Sequence, residues 1–291
     1  IISNDNNKLD LESNDLKYKV KLKNDGSIKK FQVSNGTYCL SGKFNNLSEL
    51  TTDKITEGKC EETPPKKFST DSWETIVEAV EEGNTSKYNV GDTKDVELEG
   101  YGKHTLRIAN KSTPSECSGT GFSQTACGFV LEFADIITEH KINDTDTNVG
   151  GWPASGMRTF VNNDIYNAIP SEIKNAIIDT TVVSGHGNTS GETNFTSTDK
   201  LYLLSTAEVW AQGSSNTIGD DTARDVTRQL DYYKNLGTST TNRSGAVKKS
   251  GYAWWLRVAN SSDNNNFFRV NNRGDWSNNN ASTINGVSPA F

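Results

Sequence analysis

The sequence predicts an α+β fold in two parts, a small β-rich module over residues 1–68 and a larger mixed domain over 69–291. Three observations predict it. Leu16, Tyr18, Val20 and Leu22 alternate with Lys17, Lys19 and Lys21, the period-2 pattern of a half-buried strand. Trp73, Ile76, Val77 and Val80 recur at helical spacing, with Gly83 placed to end the helix. Tyr252-Ala253-Trp254-Trp255-Leu256-Arg257-Val258 is a dense apolar strand set among polar, Asn-rich stretches.

The first module begins with strands. After Leu22, Asn24-Asp25-Gly26 supplies a turn able to adopt positive φ, and Ile28, Phe31 and Val33 continue as the second arm of a hairpin. A short third strand, Thr37 to Leu40, carries Cys39. Glu61-Glu62-Thr63-Pro64-Pro65-Lys66-Lys67 is polar with a Pro pair and reads as a linker, which sets the boundary.

The larger domain opens on the helix. Asp71 is expected to cap it, with Glu74 completing a capping box. Strands are expected at Asp95 to Leu98, His104 to Ala109 and Gly128 to Phe133. A second helix covers about Ser155 to Asn163, with Met157, Phe160 and Val161 inward. Pro170-Ser171 starts a third, with Ile173, Ala176 and Ile177 as its stripe. Lys200 to Leu204 reads as a buried strand, and Ser205-Thr206-Ala207-Glu208 as another capping box. Phe267-Phe268-Arg269-Val270 is strand-like, with Phe268 and Val270 inward and Phe267 and Arg269 outward by alternation. Asn271 to Asn280 reads as a loop. Ten Asn fall between 260 and 285, and they look like loop decoration on a stiff scaffold.

Composition bounds the function. The chain has 291 residues and only 33% hydrophobic content, with mean hydropathy −0.67, yet six Trp, nine Tyr and eleven Phe suffice to fill a core. No run of about 18 apolar residues is present, so no membrane span is expected. The chain opens Ile1-Ile2 without Met or signal peptide and reads as a trimmed or processed form. Net charge is −7, and residues 69–240 hold 12 basic against 25 acidic side chains, which argues against nucleic acid as partner. Four cysteines allow three pairings. Two local loops, Cys39 with Cys60 and Cys117 with Cys127, are the simplest and fit an exported protein; four reduced thiols in a cytosolic protein are the alternative.

Catalytic chemistry is hard to assemble. The three histidines are His104, His140 and His186, and no nucleophile elbow frames a serine. No phosphate-binding glycine loop occurs. Asp144-Thr145-Asp146-Thr147-Asn148-Val149-Gly150 matches the start of a calcium loop, but its sixth position is Val149 and its twelfth is Ser155, so it reads as a tight turn. Arg273-Gly274-Asp275 spells the tripeptide that integrins bind; nothing nearby supports that role. No cofactor or metal is expected.

Residues from about 71 to 291 resemble the C-type-lectin-like domains of bacterial and phage surface proteins. The first stretch carrying the resemblance is Ser72-Trp73-Glu74-Thr75-Ile76 with Tyr88-Asn89-Val90-Gly91-Asp92-Thr93-Lys94. The second runs from Gly150-Gly151-Trp152-Pro153-Ala154-Ser155-Gly156-Met157-Arg158 through Ile165-Tyr166-Asn167-Ala168-Ile169-Pro170 to Thr198-Asp199-Lys200-Leu201-Tyr202-Leu203-Leu204-Ser205. The third is Trp254-Trp255-Leu256-Arg257 with Gly286-Val287-Ser288-Pro289-Ala290-Phe291; the family commonly has Arg at Ser288. Relatives include the variable proteins of diversity-generating retroelements, in which Asn codons become hypervariable positions. Residues 1–68 resemble the globular part of a type IV pilin-like subunit.

The resemblance implies a conserved scaffold that presents a variable face to a protein or carbohydrate ligand at an extracellular surface. The residues expected to form that face are Asp263, Asn264, Asn265, Asn266, Phe267, Arg269, Asn271, Asn272, Arg273, Asp275, Trp276, Asn278, Asn279 and Asn280. Asn suits the role, with two donors and an acceptor on a short stem. Two other readings remain, an enzyme on the scaffold of formylglycine-generating enzymes and a structural pilus subunit associating with others of its kind.

Overall fold

A computed structural model describes residues 67–291 throughout and, before them, residues 3–5, 8–13, 16–22, 28–35, 38–42 and 55–57. The chain divides into two compact units, Ile1–Pro64 and Pro65–Phe291.

The first unit is an antiparallel meander: β1 (Ser3–Asp5), β2 (Lys8–Ser13), β3 (Leu16–Leu22), β4 (Ile28–Ser34), β5 (Tyr38–Gly42) and β6 (Ile55–Glu57), neighbours in sequence being neighbours in the sheet. The expected hairpin is β3 with β4, in a register that sets Tyr18 opposite Val33 and Val20 opposite Phe31. Lys17 and Lys19 are exposed, as the alternation requires. Cys39 is buried on β5. Its expected partner Cys60, the turn Asn24-Asp25-Gly26 and the linker residues 61–66 lie outside the described residues.

The second unit begins with Phe68, which is buried and packs edge-on against Trp73 and Tyr88. Helix α1 (Trp73–Glu81) follows, burying Ile76 and Ala79. Its cap is Ser72, whose hydroxyl accepts the Thr75 N–H, and not the expected Asp71. Asp71 is drawn away because its carboxylate accepts the Tyr88 hydroxyl at 2.8 Å. Strands β7 (Thr93–Leu98), β8 (Gly102–Asn110) and β9 (Val130–Phe133) form an antiparallel sheet, all three close to expectation.

After β10 (Thr138–His140) come α2 (Gly151–Ala154) and α3 (Gly156–Phe160). The latter widens into a π-turn over Val161–Ile165 and ends as α4 (Tyr166–Ala168). Helix α5 (Ser171–Lys174) buries Ile173. A hairpin of β11 (Thr180–Ser184) and β12 (Phe195–Asp199) was not foreseen, since its Thr/Ser-rich arms carry little apolar pattern. The segment Lys200 to Leu204 is buried but is not a ladder strand. It makes one bridge, between Tyr202 and Ala290, and Asn162 Oδ1 accepts the N–H groups of Lys200 and Leu201 instead of a neighbouring strand. Helix α6 (Thr206–Val209) carries the expected capping box of Ser205 and Glu208. Helix α7 (Asp231–Asn235) precedes the C-terminal strands.

Those strands are β13 (Trp254–Ala259), β14 (Asn266–Val270), β15 (Trp276–Asn280) and β16 (Asn285–Val287), in a sheet of order β10-β16-β13-β14-β15. Every residue of β13 is buried. The chain end closes on β9: Leu131 and Phe291 exchange N–H···O bonds at 2.9 Å each way, and Ser288 donates its buried hydroxyl to the Phe133 carbonyl at 2.9 Å. Trp152, Trp210, Trp254 and Trp255 are all fully buried, and each indole N–H has an acceptor, as burial of an aromatic with a polar tip demands.

The core also holds charge. Arg257, wholly buried in the middle of β13, donates to both carboxylate oxygens of the wholly buried Glu208 at 2.6 and 2.5 Å. Thr125 and Thr227 hydroxyls donate to the same carboxylate, and the Ser205 N–H does so at 2.9 Å. A second centre joins Glu132 to Arg107, Lys248 and Tyr233.

Candidate ligand-binding face

Asn271 to Asn280 is not a loop throughout, because its second half pairs as β15. The register sets Asn266 opposite Asn280, Phe267 opposite Asn279, Phe268 opposite Asn278, Arg269 opposite Ser277 and Val270 opposite Trp276. Directly paired residues of antiparallel strands point to the same side. One side of the hairpin therefore carries Asn266, Phe268 and Val270 with Asn280, Asn278 and Trp276. The other carries Phe267 and Arg269 with Asn279 and Ser277.

The strand-alternation expectation holds for Phe268, Val270 and Arg269, which are buried, buried and half-exposed. It fails for Phe267, which is wholly buried and is not a surface contact. The reason is position in the sheet. Strand β14 lies between β13 and β15, and Phe267 is set beside the buried Ala259 on β13. Strand β15 is at the sheet edge, so Trp276, Ser277, Asn278 and Asn279 stay half-exposed and Asn280 is exposed. Trp276 leans on Phe268, ring centroids 6.1 Å apart, and its indole N–H donates to the Asn216 carbonyl at 3.2 Å.

The hairpin tip is pinned. Asn271 accepts the N–H groups of Arg273 and Asp275 on its side-chain oxygen, at 2.8 and 3.1 Å. Asp275 pairs with Arg243 at 2.6 Å. Gly274 is buried at φ +86°, and a Cβ there would lie 2.2 Å from the Arg243 carbonyl oxygen. Asn272 and Arg273 are exposed at the tip, but a buried glycine and a paired aspartate leave Arg273-Gly274-Asp275 unable to present itself as a recognition tripeptide.

At the far end of the hairpin a second loop joins the face. Asp146 accepts the side-chain N–H groups of Asn280 at 2.7 Å and Asn265 at 3.3 Å. Asp263 accepts the backbone N–H of Asn266 at 2.8 Å and its side-chain N–H at 2.7 Å, which builds the turn that leaves Asn264 exposed. The backbone N–H of Asn148 donates to the Asn264 carbonyl at 2.9 Å. The 144–150 loop and the 263–280 segment are therefore contiguous. Sequence reasoning placed Asp146 and Asn148 in a turn and missed their contacts with the Asn cluster; only the repeated Asp and Asn of the loop hinted at a shared surface.

In the calcium-like stretch the Asp and Asn side chains have partners within the protein. Asp144 turns to Lys141 at 2.8 Å, a hydrogen bond that holds its exposed carboxyl below the ordinary carboxylate range. Asp146 faces the two amides, and Asn148 turns its N–H side toward backbone carbonyls. Among the described residues no group of three or more His, Cys, Asp or Glu is placed to hold a metal. Cys117 and Cys127 form a disulfide. His104 meets Asp135 at 3.0 Å, His140 stacks on Phe160 with ring centroids 4.2 Å apart, and the His186 Nδ1 lies 2.7 Å from the Gly187 carbonyl.

Residues 129–291, more than half of the chain, match the family described as a domain of unknown function, DUF6273. The matched segment begins beside β9 and ends at Phe291, and these two ends meet through the backbone bonds between Leu131 and Phe291. No curated protein and no solved structure matches the chain.

Proposed function

The chain belongs to the DUF6273 family, and from that premise we propose that its second unit is a C-type-lectin-like recognition domain of a bacterial surface protein. In this reading its polar edge strand and the adjoining 144–150 loop contact a protein or carbohydrate ligand. The Asn positions of that face are the ones a diversity-generating retroelement alters, and the first unit is a pilin-like carrier. The observation that carries the reading is the division within one sheet. Trp254, Phe268 and Val270 are fully buried, while Trp276, Asn278 and Asn280 on the same side of the sheet reach solvent because β15 is the edge. Such a surface changes its side chains at little cost to the core beneath. Its Asn side chains offer donors and acceptors, and Trp276 offers a flat ring for stacking. The Cys117–Cys127 disulfide fits an oxidising compartment.

The test is a comparison of the protein with a variant carrying Trp276 and Asn278 to Asn280 as Ala, on an array of bacterial and host glycans and against surface-protein extracts. The reading expects ligands bound by the protein and lost in the variant, with circular dichroism showing that the variant, though less stable through the lost Trp276 packing, is still folded at the assay temperature. Equal binding by both would place recognition elsewhere. Sequencing the gene bears on diversification: AAC or AAT codons at 264–280 with a nearby template repeat support it, and their absence removes it.

A further inference from the structure

Strand β15 is the last of its sheet, and the parity of its hydrogen bonds shows which backbone groups line the outer edge. Asn271 donates its N–H to the Asp275 carbonyl at 2.9 Å, and Ala281 donates to the Asn265 carbonyl at 2.8 Å. Both pairs continue the register that sets Phe268 opposite Asn278. Bonded and non-bonded pairs alternate along an antiparallel ladder. Arg269 with Ser277 and Phe267 with Asn279 are therefore the bonded pairs between those two. The backbone groups of Trp276, Asn278 and Asn280 point the other way, off the sheet. Asn280 is closed there, since its N–H donates to Asn279 Oδ1 at 3.0 Å and its carbonyl accepts the Thr283 N–H at 2.9 Å. The backbone N–H and C=O of Trp276 and the N–H of Asn278 have no partner among the described residues, and the Asn278 carbonyl accepts only the Ser277 hydroxyl at 3.3 Å. The open edge thus runs from Trp276 to Asn278 and is centred on Ser277. An unpaired strand edge is a template for another strand.

We propose that β15 pairs antiparallel with β15 of a second copy of this chain, about a two-fold axis passing between the two Ser277 residues. The open groups are self-complementary about that axis. It sets Trp276 opposite Asn278 of the second copy and Asn278 opposite its Trp276, so each pair exchanges two N–H···O bonds and every open group is used. The charges at the two ends of the edge also fit. Arg273 is exposed at the hairpin tip, and its side chain makes no hydrogen bond or ion pair among the described residues. The exposed Asp146 is tied to Asn280 at the other end. Antiparallel pairing brings Arg273 of each copy beside Asp146 of the other. Contact through so short an edge makes a small interface, so the dimer is weak and reversible. Side chains of β15 stand above and below the sheet and are not consumed in the pairing. Two Asn-bearing faces then lie side by side on one continuous sheet, which raises avidity for a repeated ligand. The pairing goes beyond the recognition reading and does not depend on it.

The experiment is sedimentation equilibrium of the full chain from about 10 μM to about 1 mM, the range of weak pairs, where a reversible dimer is expected. Asn278→Pro removes an outward N–H and no ladder bond, and should weaken the dimer at least about tenfold. Asn278→Ala keeps that N–H and should leave it within about twofold. Arg273→Glu should weaken it several-fold at low salt, a difference that vanishes in about 1 M salt. Ser277→Cys should form a disulfide-linked dimer in air, because opposed residues of a non-bonded antiparallel pair have Cα atoms about 4.5 Å apart, within disulfide reach. Ser171→Cys, exposed on α5, is the control and should stay unlinked. The cysteine pair keeps the proposal testable if Asn278→Pro folds poorly. A chain still monomeric at about 1 mM, a dimer untouched by Asn278→Pro, or Ser277→Cys linking no faster than Ser171→Cys overturns the proposal. A dimer that meets these expectations and binds no glycan or surface-protein ligand leaves the pairing standing and removes the recognition reading. Ligand binding by a chain that stays monomeric does the reverse.

Discussion

The side-chain Nδ2 of Asn148 lies 3.0 Å from the backbone carbonyl oxygen of Asp263. The same amide also reaches the carbonyls of Asn266 at 3.0 Å and Asn260 at 3.3 Å, so one short side chain ties together both ends of the turn that carries Asn264 and Asn265. Gly187 is packed against it: a Cβ there would lie 2.2 Å from Asn148 Oδ1. The loop at 144–150 and the Asn cluster are thus mechanically one surface.

Asn148→Ala should take one donor from each of three carbonyls that keep a backbone N–H, and cost about 1–3 kcal/mol. Gly187→Ala should cost a similar amount by displacing the same amide. Gly191 is the control: it has φ +86° but nothing within 4 Å of an added Cβ, so Gly191→Ala should cost about 1 kcal/mol of backbone strain alone. Urea melts that rank Gly191→Ala above Gly187→Ala would contradict the bracing role of Asn148.

Trp254→Ala or Trp255→Ala should destabilise by roughly 3–5 kcal/mol, because both rings are fully enclosed and both indole N–H groups are bonded. Asn264→Ser, on an exposed side chain, should change stability by less than about 0.5 kcal/mol. Calorimetry showing comparable losses at the two classes of site would undo the separation of scaffold from surface.

The carboxylates of the buried ion pairs should lose their contribution to stability in acid. Burial alone would raise the Glu132 carboxyl, but Arg107 and Lys248 outweigh it and hold the group down to about 2, from an ordinary 4.5. Glu208 is likewise raised by burial and lowered further by Arg257, with a net downward shift. A carboxyl whose folded value is depressed contributes stability above its unfolded value and loses it as pH falls through the folded value. For Glu132 that contribution is on the order of 3 kcal/mol, withdrawn between about pH 4.5 and pH 2. Denaturant melts at stepped pH should show this slope. Glu132→Gln should remove that part of the acid slope; an unchanged slope in this variant would refute the role given to Glu132.

Reducing the Cys117–Cys127 bridge, which spans 10 residues, should cost about 3 kcal/mol by the chain-entropy estimate. Cys117→Ser with Cys127→Ser should reproduce the effect of dithiothreitol. Intact-mass measurement on protein exported to an oxidising compartment should find these two cysteines bridged; free thiols there would count against export.

Much of the fold was legible because local patterns and tertiary demand agreed. Strands β3, β4, β7, β8, β13 and β14 announce themselves by alternation or by apolar density, and the Ser205–Glu208 capping box is complete in sequence and in space. Where the two diverged, a distant partner decided. Tyr88 takes Asp71 and leaves the cap to Ser72. Asn162 satisfies Lys200 and Leu201 in place of a ladder. The β15 strand was hidden because Trp276 to Asn280 has no apolar alternation to read; its order comes from pairing with β14.

By itself the sequence determined the two-part α+β organisation, the apolar strands of the core and the Asn-rich segment as the place where polarity gathers. Tertiary structure alone decided which of those residues meet solvent. Alternation assigns a side chain to one face of a strand but does not say whether that face is covered. Phe267 is buried beside Ala259 of the interior strand β13, and Asn279, its register partner, reaches solvent on the edge strand β15. The ion pair of Arg257 and Glu208, 49 residues apart, and the bond from Arg269 to Asn285 are likewise outcomes of long-range packing, since a charge's partner is set by which elements lie adjacent and not by the residues next to it in the chain.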